Sequence, residues 1–446
     1  MIEEDGNLPE EEELDDTDDL LPAEELDDRD FVPYRVPSGR RARLLAVEAV
    51  KDLLEHEERT KSRTRKRRVE DQRTFETTVS ALLCDVVHRE LTEPEGWITV
   101  TFDKSVLGCG GRYRATALNT KFPDIVRALT TRSWIELEEG YYRHPFIEGR
   151  PSKRTRVRAG DTLKRCWIDA GLALGDFDVE DNEEVILLRR RRVDHRDRGG
   201  TTDYVDTETT NRYRDELRRI NQWLRKAPLA FRGVTDGGRT VDLGDRRLRR
   251  IFNDGSFERG GRLYGGFWQR LKPEERFAGL TIGGSRIVAL DYGQTALRIL
   301  YGMAGMTPQW TDGYAVPGLE GHRAGVKKLL NAMLNRETPL TRYPKGLRSL
   351  FPFSIPAGRA TYLIHEFHPP VRTHWRPRIG LNLMFRESCI LVDVLLRLMD
   401  RGIVALPVHD AVLVAEQHQD ITKEVMLEVF LTHTSIPGMV GVCSHG

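Results

Sequence analysis

The chain of 446 residues has no stretch approaching the roughly 18 consecutive apolar residues that a bilayer-spanning helix needs. Its N-terminus is acidic, with no basic segment leading into an apolar run, so neither a membrane partner nor a secretory signal is expected. Cysteine is scarce. Cys84, Cys109, Cys166, Cys389 and Cys443 stand singly, without the close pairs of a zinc site, and an odd, dispersed set gives no disulfide framework. A reducing, cytoplasmic compartment is the expectation. No internal repeat is present.

Charge of one sign is lacking only in sum. Lys and Arg total 69 and Asp and Glu total 69, yet residues 1–30 hold 16 acidic residues and a single Arg. The rest of the chain is therefore a basic body, with 68 basic against 53 acidic residues. Such a body attracts polyanions through phosphate contacts that weaken as salt rises. Residues 1–35, acidic and poor in aromatics, read as a disordered tail that keeps the protein soluble or competes with polyanions.

The patterning predicts an α+β fold. Leu44, Leu45, Val47, Val50, Leu53 and Leu54 have helical spacing, a basic run covers residues 59–68, and a second amphipathic segment covers about 74–91. Strand-like text at 97–102, 134–142 and 154–158 is interleaved with a Gly-rich turn at 108–111 and helical text at 123–131 and 162–167. Helices followed by a strand pair, with basic residues between, suit a winged-helix-like, nucleic-acid-binding domain over residues 36–193. Residues 194–208, polar and containing Gly199 and Gly200, read as a linker. Leu217, Ile220, Trp223 and Leu224 then mark a long helix that opens a last domain over 209–446.

Chemistry is concentrated in that last domain. In RIVALDYGQTALRILYG (286–302) an apolar strand-like run ends at Asp291 and a helical pattern begins at Thr295. Asp291 and Gln294 also have capping-box spacing, so Asp291 could instead cap the following helix. In GIVALPVHDAVLVAE (402–416) two apolar runs flank His409 and Asp410, the pattern of a hairpin with an imidazole and a carboxylate at its tip, or of an ordinary turn Asp. Two carboxylates on separate strands are what a two-metal nucleotidyl transfer requires. Between them, Arg323, Lys327, Asn331 and Asn335 recur every fourth residue on one side of a predicted helix, opposite Val326, Leu329, Leu330 and Met333. That face offers cations and amides to a triphosphate.

The ordered set resembles the family A DNA polymerases and, more distantly, the single-subunit RNA polymerases. DYGQTALR resembles motif A, Arg323 and Lys327 motif B, HDA motif C, and GGRLYGGFWQ (260–269) the segment beside primer and template; together they cover about 250–415. The resemblance implies a polymerase palm with an antiparallel sheet and reduced helical fingers. It implies magnesium, as two ions with manganese as a substitute, held by Asp291, Asp410 and the Tyr292 carbonyl. Lys327 and Arg323 would bind the nucleoside triphosphate, with Lys327 a general acid toward pyrophosphate. Asn331, Asn335, Gln294 and Ala296 would line the nucleotide site. Arg262, His409 and Glu387 would face a DNA, or RNA, primer-template. The protein would then work in the cytoplasm at the nucleoid, in a phage, mobile-element or bacterial replication or repair system.

Several positions depart from that family. Ala296 replaces the glutamate that crowds the sugar 2′ position, which predicts weakened sugar discrimination and keeps open a primase or RNA polymerase. Ala411 replaces the glutamate of HDE, and Asn331 replaces the aromatic that stacks on the incoming base. No acidic constellation for a proofreading nuclease precedes the core; Asp178, Glu180 and Asp181 lie in surface-like text. A polymerase fold retained only for binding, as in a replication initiator or regulator, is the remaining alternative.

Overall fold

The helical periodicity near the N-terminus becomes two long helices, Arg40–Thr60 and Val69–Thr92. They belong to a computed structural model that describes residues 28–61, 63, 65–108, 110–141, 153–180, 183–192, 199–233, 235, 241–374 and 378–443. Most of the expected acidic tail (1–27), Cys109, Asp181 and residues 194–198 of the expected linker lie outside the described residues. The chain divides into two units, Met1–Glu184 with Thr235–Asp242, and Val185–Val234 with Leu243–Gly446.

In the first unit the buried face of the first helix overlaps the expected apolar positions only in part: Leu45 and Leu53 are buried, and Val50 and Leu54 pack partly buried against the core. Leu44 and Val47 are 58% and 63% exposed, and the face turned inward is Ala42, Leu45, Ala46, Ala49 and Leu53. Alanines at three of these five positions let the helix pack close to Val79, Leu82, Leu83 and Val86. Residues 29–37, assigned to the tail or its border by composition, form two short strands instead. They are fastened by charge: Arg29 Nη2 and Arg35 Nε donate to Asp85 Oδ1 at 2.9 and 2.7 Å, and Val32 N donates to Oδ2 at 2.9 Å. Asp85 is fully buried, and a buried carboxylate is tolerated only when paired in this way. A four-stranded sheet runs Arg29–Asp30, Ile98–Thr99, Arg156–Ala159, Ile135–Glu138, its first pair parallel and the others antiparallel.

The second unit begins at Val185, earlier than the linker predicted it would. Ile186–Leu188, expected to close the first domain, pairs in parallel with Leu248–Phe252. The described part of the linker folds back on it: Arg190 N donates to Gly200 O at 3.0 Å and Thr202 N to Leu188 O at 2.8 Å. Helix Glu208–Lys226 follows, its N-terminus closed by reciprocal bonds between Thr207 and Thr210.

The main sheet of this unit is antiparallel, in the order Ala405–Val408, Ala411–Ala415, Ser285–Tyr292, Leu280–Ile282, Leu229–Phe231. Val440–Cys443 joins Ser285–Tyr292 along its last four residues. Helix Ile379–Asp400 buries Leu383, Ile390, Leu391, Val394, Leu395 and Leu398 among its neighbours. The architecture is mixed α+β. No helix among the described residues is long and apolar enough to cross a membrane.

Candidate active site

Strand Ser285–Tyr292 is buried from Ile287 to Leu290, which explains its continuous apolar text, and its next residue, Asp291, reaches the strand's end half-buried. Asp291 does not cap the following helix: that helix, Thr295–Met303, has Gln294 as its N-cap, without a side-chain cap bond. In the neighbouring hairpin Val408 pairs with Ala411, so His409 and Asp410 form a two-residue turn, with His409 in the left-handed region at φ 54°. A non-glycine residue held there is a local strain of the kind found at functional turns.

Register brings the two carboxylates together. Asp291 pairs with Ala411, the residue after Asp410, so the two aspartate Cα atoms lie within roughly 9 Å of each other. Burial pushes the Asp291 carboxyl up to about 8, aided first by the charge of Asp410 and then by that of Glu387, while Lys327 pulls the other way. Asp291 Oδ1 is buried and has no hydrogen-bond partner among the described residues.

Glu387 enters from helix Ile379–Asp400. It is 8% exposed, and its Oε1 accepts from Arg262 Nε at 3.1 Å and Nη2 at 3.0 Å. Burial pushes its carboxyl up to about 7 against the pull of Arg262, with Asp410 adding to the rise. Burial disfavours the Arg262 cation, but Glu387 and Asp410 outweigh it and hold the guanidinium firmly charged. Arg262 and Glu387, both expected beside a duplex, are thus engaged with each other next to Asp410. Gly261 makes the approach possible: at φ 82° it carries no Cβ, and one would sit 2.8 Å from Ser388 Oγ. The same segment braces the hairpin, because Trp268 Nε1 and Gln269 Nε2 both donate to Pro407 O at 2.9 Å.

Helix Arg323–Asn335 has the predicted two faces, with Val326, Leu329, Leu330 and Met333 buried, Arg323 and Asn331 exposed, and Lys327 and Asn335 between. Lys327 is the member whose charge acts on Asp291. Arg323 Nε donates to Asp312 Oδ2 at 2.6 Å. Asn335 turns to its own helix, Nδ2 donating to Asn331 O at 3.0 Å, and its Oδ1 lies where a Cβ on Gly380 would be. Ala296 sits half-buried in the first turn after Asp291. Gln294 reaches the loop ahead of helix Arg323–Asn335, its Oε1 accepting from Gly313 N at 2.7 Å. The Tyr292 carbonyl accepts from Thr295 Oγ1 at 3.0 Å, and the Tyr292 hydroxyl donates into the core, to Met426 O at 2.7 Å.

One residue escaped the sequence reading. Tyr314 follows that loop and is 7% exposed; burial first pushes its phenol up to about 12, with Asp410 and Asp291 among the charges acting on it. The only textual signal was a turn-like Asp-Gly before a tyrosine.

Among the described residues no group of three or more His, Cys, Asp or Glu side chains is arranged to hold a metal ion. Asp291 and Asp410 nonetheless fit a divalent cation. They are hard oxygen donors, one oxygen is buried among the described residues without a partner, and burial with the neighbouring carboxylates pushes the Asp291 carboxyl up, a cost that a bound cation would offset. Two carboxylates would leave the remaining coordination to water and phosphate oxygens, which suits magnesium.

No family model matches the chain, and no curated protein matches it. Among solved structures it is similar to the POL domain of Pol1 from M. smegmatis in complex with DNA primer-template and dNTP, at 16% identity and a TM-score of 0.32. The match covers 52% of this chain and 51% of that one, so the chain spans about half the length of that structure.

Proposed function

We propose that the second unit is a template-directed nucleotidyltransferase of the family A polymerase type, a compact DNA polymerase without a proofreading nuclease. The observation that carries this reading is the pairing of Asp291 with the residue after Asp410 at the mouth of an antiparallel sheet, with Lys327 acting on the same carboxylate. In this reading the sheet is the palm and helices Thr295–Met303 and Arg323–Asn335 belong to reduced fingers.

Asp291 and Asp410, with the Tyr292 carbonyl, would hold magnesium. What the bound ions supply is Lewis acidity toward an attacking 3′-hydroxyl and neutralisation of the leaving pyrophosphate. Lys327 and Arg323 bind the triphosphate, Arg323 after exchanging Asp312 for a phosphate oxygen, and Lys327 hands a proton to pyrophosphate. Arg262 keeps Glu387 from competing as a third free carboxylate. His409 and Arg262 border the primer end, and Gln294, Ala296, Asn331 and Asn335 border the nucleotide.

The first unit is the nucleic-acid-binding module, of winged-helix type. Lys61, Arg63, Arg65, Lys66 and Arg68, between its two long helices, are all exposed and offer a cluster of phosphate contacts. Ala296 favours a second reading, in which the product is RNA.

Primer extension and de novo synthesis on a defined template, with magnesium and either deoxy- or ribonucleotides, tests both. Deoxynucleotide extension is expected. Products from ribonucleotides alone would move the assignment to a primase or RNA polymerase. Tight template binding with no product would reduce the unit to a binding protein.

A further inference from the structure

The loop ahead of helix Arg323–Asn335 is fastened at Gly313 by the side chains of Gln294 and His368. Gly313 is clamped on both sides: its N–H donates to Gln294 Oε1 at 2.7 Å, and its carbonyl lies 2.7 Å from Nε2 of the fully buried His368. A carbonyl can only accept, so Nε2 carries the proton and Nδ1 of neutral His368 accepts from the Tyr301 hydroxyl at 3.0 Å. Trp310 closes edge-on over both rings, at 5.4 Å from Tyr301 and 5.7 Å from His368. The loop also packs on the helix that follows Asp291, since a Cβ on Gly313 would lie 2.8 Å from Leu297 Cδ1.

This clamp fixes the next residue, Tyr314. Asp312 Oδ1 accepts from Tyr314 N at 3.0 Å, and the Arg323 guanidinium lies 5.4 Å from the ring centroid. The phenol thus lies beside the cation proposed for the triphosphate, and the charges of the carboxylates proposed for the metal act on it. Its hydroxyl bonds to no described residue. The groups around it already serve charged ligands, whereas a neutral phenol, donor and acceptor at once, suits a neutral hydroxyl. In a nucleotide the neutral hydroxyls nearest the phosphates are those of the sugar.

We propose that Tyr314 is a specificity-determining residue whose hydroxyl hydrogen-bonds a sugar hydroxyl of the incoming nucleotide, on a loop pre-set by Gln294 and His368. The proposal rests on the nucleotidyltransferase reading and extends it to a residue outside the motifs. A fixed donor of this kind discriminates because the ligand lacking the hydroxyl leaves it unsatisfied.

The test is equilibrium binding of ATP, dATP and 2′,3′-dideoxy-ATP to the full chain with manganese, comparing wild type, Tyr314→Phe and Asp291→Ala. Tyr314→Phe is expected to weaken ATP, or ATP and dATP, by roughly three- to tenfold while leaving dideoxy-ATP unchanged. A loss limited to ATP assigns the 2′-hydroxyl, and one shared with dATP the 3′-hydroxyl. Equal losses for all three nucleotides, or none, would overturn the assignment while leaving the enzymatic reading intact. If wild type binds none of them, or Asp291→Ala binds them as well as wild type does, the reading beneath it fails too.

Discussion

Asp291 stands directly across the sheet from Ala411, the residue that follows Asp410 in the hairpin. Two residues separated by more than a hundred positions in the chain thereby present their carboxylates at one end of the sheet, and the charge of Asp410 raises the cost of ionising Asp291. Asp291→Ala and Asp410→Ala should each reduce nucleotide incorporation by roughly a hundred- to a thousandfold, by analogy with the loss of other transition-state charge stabilisers, while leaving the circular dichroism of the chain unchanged. Near-full activity in either variant would show that the pair is not the reacting centre.

The raised Asp291 carboxyl has consequences for pH. A group that holds its proton up to about 8 must release it when a cation binds. Manganese affinity should therefore fall as pH drops from 8 to 6, by up to about tenfold per unit. Calorimetry in buffers of different ionisation enthalpy should register close to one proton released per chain near pH 7. The stability sign follows from the same shift. Its folded value is raised above the unfolded 3.8, so the neutral form favours the fold and that contribution is lost as pH rises through about 8. Without metal, Asp291→Asn should melt at a higher temperature than wild type at pH 9, with the difference shrinking toward pH 5; equal melting at both pH values would contradict the assignment.

Arg262 and Glu387 form a pair in which the two partners are not equivalent. Arg262→Ala leaves a buried carboxylate beside Asp410 with no cation, a loss of roughly 2–4 kcal/mol after allowing for partial exposure. Glu387→Gln keeps the shape and an acceptor oxygen, so it should cost about 1 kcal/mol or less. In the double variant much of the Arg262→Ala penalty should disappear. Urea denaturation of the four proteins measures the coupling, and strict additivity would mean that the two residues do not depend on each other.

The legible parts of this molecule are those in which one local period decides the outcome. The buried strand ending at Asp291, the hairpin around His409 and Asp410 and the two faces of helix Arg323–Asn335 each follow from apolar spacing within about fifteen residues. The capping alternative for Asp291 could not be dismissed from spacing alone; it is removed by Gln294 occupying the cap with a left-handed backbone at φ 57°. What the text concealed depends on partners remote in sequence. Arg262 and Glu387 are 125 positions apart, and nothing near either residue announces the other. The acidic composition before residue 37 hid two strands because the carboxylate that anchors them, Asp85, lies in the second helix. The first helix buries Ala42, Ala46 and Ala49 beside Leu45 and Leu53 and leaves Leu44 and Val47 exposed, a choice between apolar faces that spacing within the helix does not settle.

The first unit supplies a pH test of its own. His88 is 3% exposed, and burial together with the charge of Arg35 pushes its imidazole down to about 4, against the pull of Asp242 and Asp85. A folded value below the unfolded one means the neutral ring favours the fold. That contribution is complete above the unfolded value of 6.5 and is lost as pH falls toward about 4. The gross difference between pH 7 and pH 4 amounts to about 3 kcal/mol. In denaturant titrations at these two pH values, His88→Gln should be less stable than wild type at pH 7 and lose less on acidification. Parallel pH profiles for the two proteins would place the ring in a solvated environment.

Ala296 opens the first turn after Asp291 and is half-buried on the helix that also supports the Tyr314 loop through Leu297. In the proposed site a small side chain there would leave room beside Asp291 and Asp410 for a sugar 2′-hydroxyl. Ala296→Glu fills that room with a longer side chain and should shift incorporation toward deoxynucleotides by roughly tenfold, equivalent to about 1.4 kcal/mol of difference between the two transition states. The ratio of kcat/KM for matched ribo- and deoxynucleotides reads this directly. A bulkier side chain that lowered both values equally would show obstruction without discrimination. An unchanged ratio would place the sugar elsewhere, leaving Tyr314, rather than the first turn, as the residue to examine for selectivity.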